Sequence, residues 1–180
     1  MKALFIVDLQ NDFCPWGALP TPKGDVIIPV LNKIMDKFDL VLASKDWHPE
    51  DSIHFQKWPK HCVQNTKGAD FPDGLNTEKI TKVFLKGIGN KDDGYSAFEA
   101  TNENLAEYLR NNNVDELYVT GLTAEYCVKQ TVLDALKNGF KTFVIKDGVE
   151  GIYQNEGDVE KAFKEMEEAG AILITSHDIK

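Results

Sequence analysis

Apolar positions along the chain fall into two periods. Ala3-Leu4-Phe5-Ile6-Val7 is an unbroken apolar run that stops at Asp8, the pattern of a strand buried on both faces. Asp39–Ser44 reads the same way, and so does the shorter Val83-Phe84-Leu85 ahead of Lys86-Gly87. Between the first two runs, Ile27, Val30, Leu31, Ile34 and Phe38 recur at three- and four-residue spacing. That spacing predicts a helix over Asp25–Phe38, with Pro29 tolerated in its first turn. The second half repeats the alternation. It predicts a helix over Glu103–Arg110, a strand over Glu116–Gly121 and a helix over Ala124–Lys137 that Gly139 stops. A strand over Phe140–Ile145, a charged amphipathic helix over Asp158–Ala169 and a last strand over Ala171–Thr175 follow.

Strands alternating with crossover helices predict an α/β fold: a six-stranded parallel sheet covered on both faces, with right-handed connections. A length of 180 residues suits one domain spanning 1–180. One connection breaks the pattern. Lys45 to about Thr77 has little periodicity and carries Pro49, Pro59 and Pro72, yet it also holds Trp47, Phe55, Trp58 and Phe71. Long loops in compact domains are functional or disordered. The aromatic content points to the first.

Composition excludes more than it identifies. Hydrophobic residues at 42% and charged residues at 27% are globular values. A net charge of −9 disfavours nucleic acid or an anionic membrane as partner, since either wants a basic face. Three cysteines, an odd number, do not read as a disulfide framework. The apolar run at Ala3–Val7 is too short for a signal peptide or a membrane span. The expectation is a cytoplasmic protein with free thiols, as monomer or homo-oligomer.

The candidate chemistry sits where the pattern breaks or ends. Three of the four histidines, His48, His54 and His61, lie in the long loop. Asp46 precedes His48 by two, so in extended chain both side chains point the same way. One carboxylate and three imidazoles suffice to hold a divalent metal, with zinc, iron and manganese all compatible. The fourth histidine, His177, reads as a solvated surface residue. In open parallel sheets ligands bind at the carboxyl ends of the strands. Asp8 ends the first strand and Lys86 the third, and Cys127 lies in the first helical turn after the fourth. A helix N-terminus and a nearby ammonium favour the thiolate, and a carboxylate can shuttle its proton. Each of the three is an ordinary structural residue when taken singly. The remaining thiols, Cys14 and Cys62, read as packed or loop residues.

Taken together, the motifs resemble the nicotinamidases of the isochorismatase-like cysteine hydrolase family over nearly the whole chain. The resemblance rests on Ile6-Val7-Asp8-Leu9-Gln10-Asn11-Asp12-Phe13, Lys45-Asp46-Trp47-His48-Pro49 and Trp58-Pro59-Lys60-His61-Cys62-Val63. Val83-Phe84-Leu85-Lys86-Gly87, Tyr95-Ser96-Ala97-Phe98 and Gly121-Leu122-Thr123-Ala124-Glu125-Tyr126-Cys127-Val128 complete it in the same order. One departure stands out: typical members have a small residue and then Thr where this chain has Thr123-Ala124.

The resemblance implies a three-layer α/β/α, Rossmann-like fold with strand order 3-2-1-4-5-6. It implies a catalytic triad of Asp8, Lys86 and Cys127, and a metal held by Asp46, His48, His54 and His61. It also implies a cis Leu122–Thr123 peptide, an oxyanion hole from the backbone N–H groups of Thr123 and Cys127, and substrate contacts from Phe13, Trp58 and Tyr95. The implied reaction is hydrolysis of nicotinamide to nicotinate and ammonia in NAD salvage, with pyrazinamide as a further substrate. The metal is expected to take the pyridine nitrogen. The alternatives are a related amidase acting on another small amide and a non-catalytic binding domain of the same fold. A dinucleotide-binding domain is disfavoured, because Leu9-Gln10-Asn11-Asp12 follows the first strand instead of a glycine-rich phosphate loop. With strand order 3-2-1, Lys86 must lean across the end of the second strand, over roughly 10 Å, to meet Asp8.

Overall fold

The computed structural model describes residues 1–180. Six parallel strands form one sheet: β1 (Lys2–Val7), β2 (Leu40–Asp46), β3 (Lys82–Lys86), β4 (Glu116–Leu122), β5 (Lys141–Glu150) and β6 (Ile172–Ile174). Their spatial order is β3-β2-β1-β4-β5-β6, as the resemblance implied. The helices are α1 (Ile27–Ile34), α2 (Leu105–Asn111), α3 (Lys129–Lys137) and α4 (Asp158–Glu168).

The two-residue period of a strand explains why β1 is apolar throughout. Ala3, Phe5 and Val7 face one core, with Leu105 and Leu109 of α2, Val132 and Ala135 of α3, and Val159, Ala162 and Met166 of α4. Leu4 and Ile6 face the other, with Ile27, Leu31 and Ile34 of α1 and with Cys62, Ala69 and Leu75 of the long loop. The loop thus does part of the work of a helical layer on that face. Fully burying a side chain such as Phe5 contributes about 1.5–3 kcal/mol, so both faces matter to stability.

Several boundaries differ from the sequence expectation: the helix predicted over Asp25–Phe38 is α-helical only over Ile27–Ile34, with 3-10 turns on either side, and three differences bear on the site or the sheet. β2 runs on to Asp46, which therefore belongs to a strand end and not to the loop. β5 runs on to Glu150 through the polar Lys146-Asp147, because a bulge interrupts its pairing with β4: Val119 pairs with Val144, but Gly121 pairs with Val149. The helix after β4 opens with a wide π-type turn, Ala124–Val128, before α3. Within that turn, Tyr126 and Val128 both donate their N–H to the Thr123 carbonyl. The Leu122–Thr123 peptide is cis, as expected.

The order of the strands reverses between β1 and β4, the switch point at which open α/β sheets bind ligands. Gly121 makes the close approach there possible. Its φ is +111°, and a β-carbon on it would lie 2.1 Å from the Val7 carbonyl oxygen.

Candidate active site

Asp8 follows β1 in a left-handed conformation (φ 46°), uncommon for a residue with a β-carbon and a form of strain found at functional sites. Its amide donates to the Ser44 carbonyl at 3.2 Å, and Ser44 Oγ donates to its Oδ1 at 2.8 Å. The other carboxylate oxygen accepts from Lys86 Nζ at 2.7 Å. Lys86 therefore does lean across the end of β2. The same ammonium donates to Asp46 Oδ1 at 2.5 Å and to the Gly94 carbonyl, and it lies 3.5 Å from Cys127 Sγ. Asp8 and Lys86 are fully buried. One acceptor atom from each of Asp8, Asp46 and Cys127 falls within 4.8 Å of the others.

The electrostatics of this cluster correct one expectation. Burial pushes the Cys127 thiol well above the ordinary cysteine value; Lys86 draws it down, while Asp8 and Asp46 push it up. The ammonium is shared with two carboxylates, so its pull on the thiol does not outweigh burial. Burial, together with the neighbouring Asp46 carboxylate, raises Asp8 against the lowering pull of Lys86 and Ser44. Burial alone would lower Lys86, but Asp46 and Asp8 outweigh it and hold the ammonium well above the ordinary lysine value. The Asp46 carboxyl is likewise opposed by burial, yet Lys86, His48 and His61 hold it well below the usual carboxylate range.

Asp46 also faces the histidines. Its Oδ2 lies 3.4 Å from His48 Nε2 and 3.8 Å from His61 Nε2. One ring nitrogen from each of His48, His54 and His61 lies within 4.8 Å of the others. The outer nitrogens are all engaged: His48 Nδ1 with the Gly87 carbonyl at 3.1 Å, His61 Nδ1 with the Pro59 carbonyl at 2.6 Å, and His54 Nδ1 with Asp92 Oδ1 at 2.8 Å. Those bonds fix the rings and leave the inner Nε2 atoms as lone-pair donors. His48 Nε2 is buried and has no hydrogen-bond partner. An orphaned imidazole nitrogen beside a carboxylate and two more imidazoles fits a divalent metal.

Local structure explains how a loop achieves this. His48 is held on both sides, its N–H donating to the Cys62 carbonyl and its own carbonyl accepting from Gln64. His54 sits on a one-turn 3-10 helix, Ile53–Gln56, capped by Ser52. Gln10 pins Asp46: its amide donates to the Asp46 carbonyl at 2.8 Å, and its oxygen accepts the Asp46 N–H at 2.9 Å.

A narrow cleft opens over these groups. Asp46, His54, His61, Thr123 and Cys127 line it together with the three expected aromatics, Phe13, Trp58 and Tyr95. All eleven residues singled out from the sequence are thus gathered at one end of the sheet, and His177 is exposed, as expected. Cys14 and Cys62 are buried and unpaired. Sequence reasoning missed Asp92, Gln10 and Ser44, which hold His54, Asp46 and Asp8, and also Tyr126 and Ile152 in the cleft wall. Gln10 carried a signal, since it lies in the motif after β1. Asp92 carried none, because Lys91-Asp92-Asp93 reads as a surface charge run.

Known proteins are similar to this chain in sequence and fold. The isochorismatase domain profile matches residues 2–178. The nicotinamidase of Escherichia coli is 41% identical over 98% of this chain and 96% of its own length. A pyrazinamidase of Pyrococcus horikoshii, solved in complex with zinc, is 43% identical and superposes with a TM-score of 0.87 over 97% of this chain and 98% of that one. A protein of L. infantum solved in complex with nicotinate is 32% identical, with a TM-score of 0.91 over 98% of this chain and 93% of that one. The chain belongs to the isochorismatase-domain family, alongside the nicotinamidases.

Proposed function

We propose that this protein hydrolyses nicotinamide to nicotinate and ammonia, with Cys127 as nucleophile. The observation that carries the reading is Lys86. Its single ammonium joins Asp8, Asp46 and Cys127, and so ties a nucleophile with its proton acceptor to a metal-ligand set. The full-length similarity to nicotinamidases supports the substrate.

The raised Asp8 carboxyl and the raised Cys127 thiol suit a coupled mechanism in which the thiolate forms only as it is used. Cys127 passes its proton to Asp8, and Lys86 stabilises the developing negative charge. The sulfur attacks the carboxamide carbon, and the C–N bond breaks as Asp8 protonates the departing ammonia, leaving a thioester on Cys127. Asp8 then takes a proton from water, which attacks the thioester. The C–S bond breaks as Asp8 returns that proton to sulfur, and the product leaves as nicotinic acid, which ionises to nicotinate. The amides of Thr123 and Cys127 are the donors for the oxyanion, and removing one such donor typically costs about 10²–10³ in rate. Phe13, Trp58 and Tyr95 hold the flat ring.

Asp46, His48, His54 and His61 hold the metal, which we take to be zinc. When bound, it supplies a Lewis acid for a lone pair on the substrate, a role the ring nitrogen of nicotinamide or pyrazinamide can fill. The product suits NAD salvage, and a reduced nucleophilic thiol suits the cytoplasm. No helix is long and apolar enough to cross a membrane. The test is ammonia release from nicotinamide by the purified metal-loaded protein, with nicotinate identified by chromatography. Release that disappears in Cys127→Ala supports the reading, whereas no release from the wild type rejects it.

A further inference from the structure

The three imidazoles are not held alike. His48 and His61 give their outer nitrogens to backbone carbonyls, and His48 is also fastened by backbone bonds on both sides. His54 rests on a single helical turn in the long loop, away from any strand. Its outer nitrogen meets a carboxylate instead, Asp92 Oδ1 at 2.8 Å, from the loop after β3 and 38 residues away in the chain. The neighbouring Asn90 side chain accepts the Ile53 N–H at 2.7 Å, so the two loops meet at two adjacent points.

Asp92 is itself oriented. Lys57 Nζ donates to its Oδ2 at 2.8 Å, which turns Oδ1 toward His54. That Oδ1 also accepts from the Tyr95 hydroxyl at 2.9 Å, and the hydroxyl accepts from Trp58 Nε1 at 3.1 Å. One carboxylate oxygen therefore touches both a metal-ligand imidazole and the aromatic wall of the cleft.

We propose that Asp92 is a positioning residue that aims His54 at the metal. A carboxylate on the outer nitrogen fixes the Nδ1–H tautomer, strengthens the inner nitrogen as a donor and stops the ring from rotating. Its contribution should exceed that of a backbone carbonyl, because hydrogen bonds to an ionised partner are about twice as strong. The inference rests on the metal reading of the histidine cluster and goes beyond it in naming the group that makes His54 a competent ligand.

The test reads zinc affinity, not turnover. Protein stripped by a chelator is titrated with zinc chloride against a chromophoric competitor, with circular dichroism recording that each variant is folded. Asp92→Ala should bind zinc about 10–100-fold more weakly than wild type. Asp92→Asn, whose amide oxygen still accepts from Nδ1–H, should fall between the two. In a His54→Ala background the Asp92→Ala change should cost nothing further, because its target is gone. Zinc affinity of Asp92→Ala within about twofold of wild type, or an equal loss with and without His54, overturns the proposal. A wild-type protein that takes up no zinc overturns the metal reading and this inference with it, whereas zinc uptake without amide hydrolysis rejects only the substrate.

Discussion

Lys86 Nζ donates to Asp46 Oδ1 at 2.5 Å, while the other oxygen of Asp46 faces His48 and His61. The ammonium beside the Cys127 thiol and the carboxylate beside the histidines are thus one ion pair, and the two halves of the site depend on each other. Replacing Lys86 by Met removes the only cation among two buried carboxylates. Breaking a buried pair in this way costs about 3–5 kcal/mol. Urea unfolding at neutral pH should show that loss for Lys86→Met. Because the stranded carboxylates can be neutralised by protons, the deficit should shrink as the pH falls. A deficit that does not change with pH would mean that the pair is not what the lysine supports.

Gly87 tests how tightly the histidine cluster is packed. Its φ is +69°, and a β-carbon there would lie 2.5 Å from His48 Cε1. Gly87→Ala should cost at least about 1–2 kcal/mol for the left-handed backbone alone, and it should push the His48 ring off its position. Lowered thermal stability together with weakened zinc binding is expected. Normal zinc affinity would place the His48 ring elsewhere.

Cysteine reactivity tests the correction to the thiolate expectation. Burial pushes the Cys127 thiol up, Cys62 likewise, and Cys14 up to about 12. A raised value means that the folded protein holds the thiol proton more tightly than a free cysteine does, so the thiolate fraction is small at neutral pH and grows as pH rises. Alkylation of the native protein by iodoacetamide should therefore be slow at neutral pH, accelerate into alkali, and fall first on Cys127, which alone of the three lines the cleft. Mass spectrometry with peptide mapping reads the order. Rapid labelling of Cys127 that is already flat with pH below neutrality would show a standing thiolate.

Metal should act on stability through mass action. An ion that binds only the folded chain adds about 2.7 kcal/mol at a concentration a hundred times its dissociation constant. Zinc added to chelator-treated protein should raise Tm with concentration, and His61→Ala should abolish most of that rise. The same metal-loaded protein should turn over nicotinamide far better than benzamide, since benzamide lacks the ring nitrogen. Equal rates on the two amides would remove the ring nitrogen from the mechanism.

Much of this architecture is legible in the chain. The unbroken apolar runs at β1 and β2 follow from strands covered on both faces, and the three- and four-residue spacing in α1 follows from a helix covered on one. What periodicity could not show was where pairing becomes irregular. Lys146 and Asp147 look like the end of a strand, yet β5 continues past them because a bulge takes up the extra residues. The wide turn that carries Cys127 has the apolar pattern of an ordinary helix start, so only the hydrogen bonds to Thr123 distinguish it.

The sequence by itself determined most of the strand and helix pattern and the family, and it singled out the residues that the fold gathers at one end of the sheet, because most of them sit at the end of a strand or in a motif of fixed spacing. The tertiary structure decided what those residues do to one another. Lys86 meets Asp8, Asp46 and Cys127 only because β3, β2, β1 and β4 lie side by side with their carboxyl ends level. Burial and the charge pairs inside it then set how tightly each group holds its proton, and both are properties of the packed molecule. The same holds for Asp92: a charge in a surface run becomes the partner of a ligand histidine once two distant loops meet, and local sequence carries no trace of contacts made 38 residues apart.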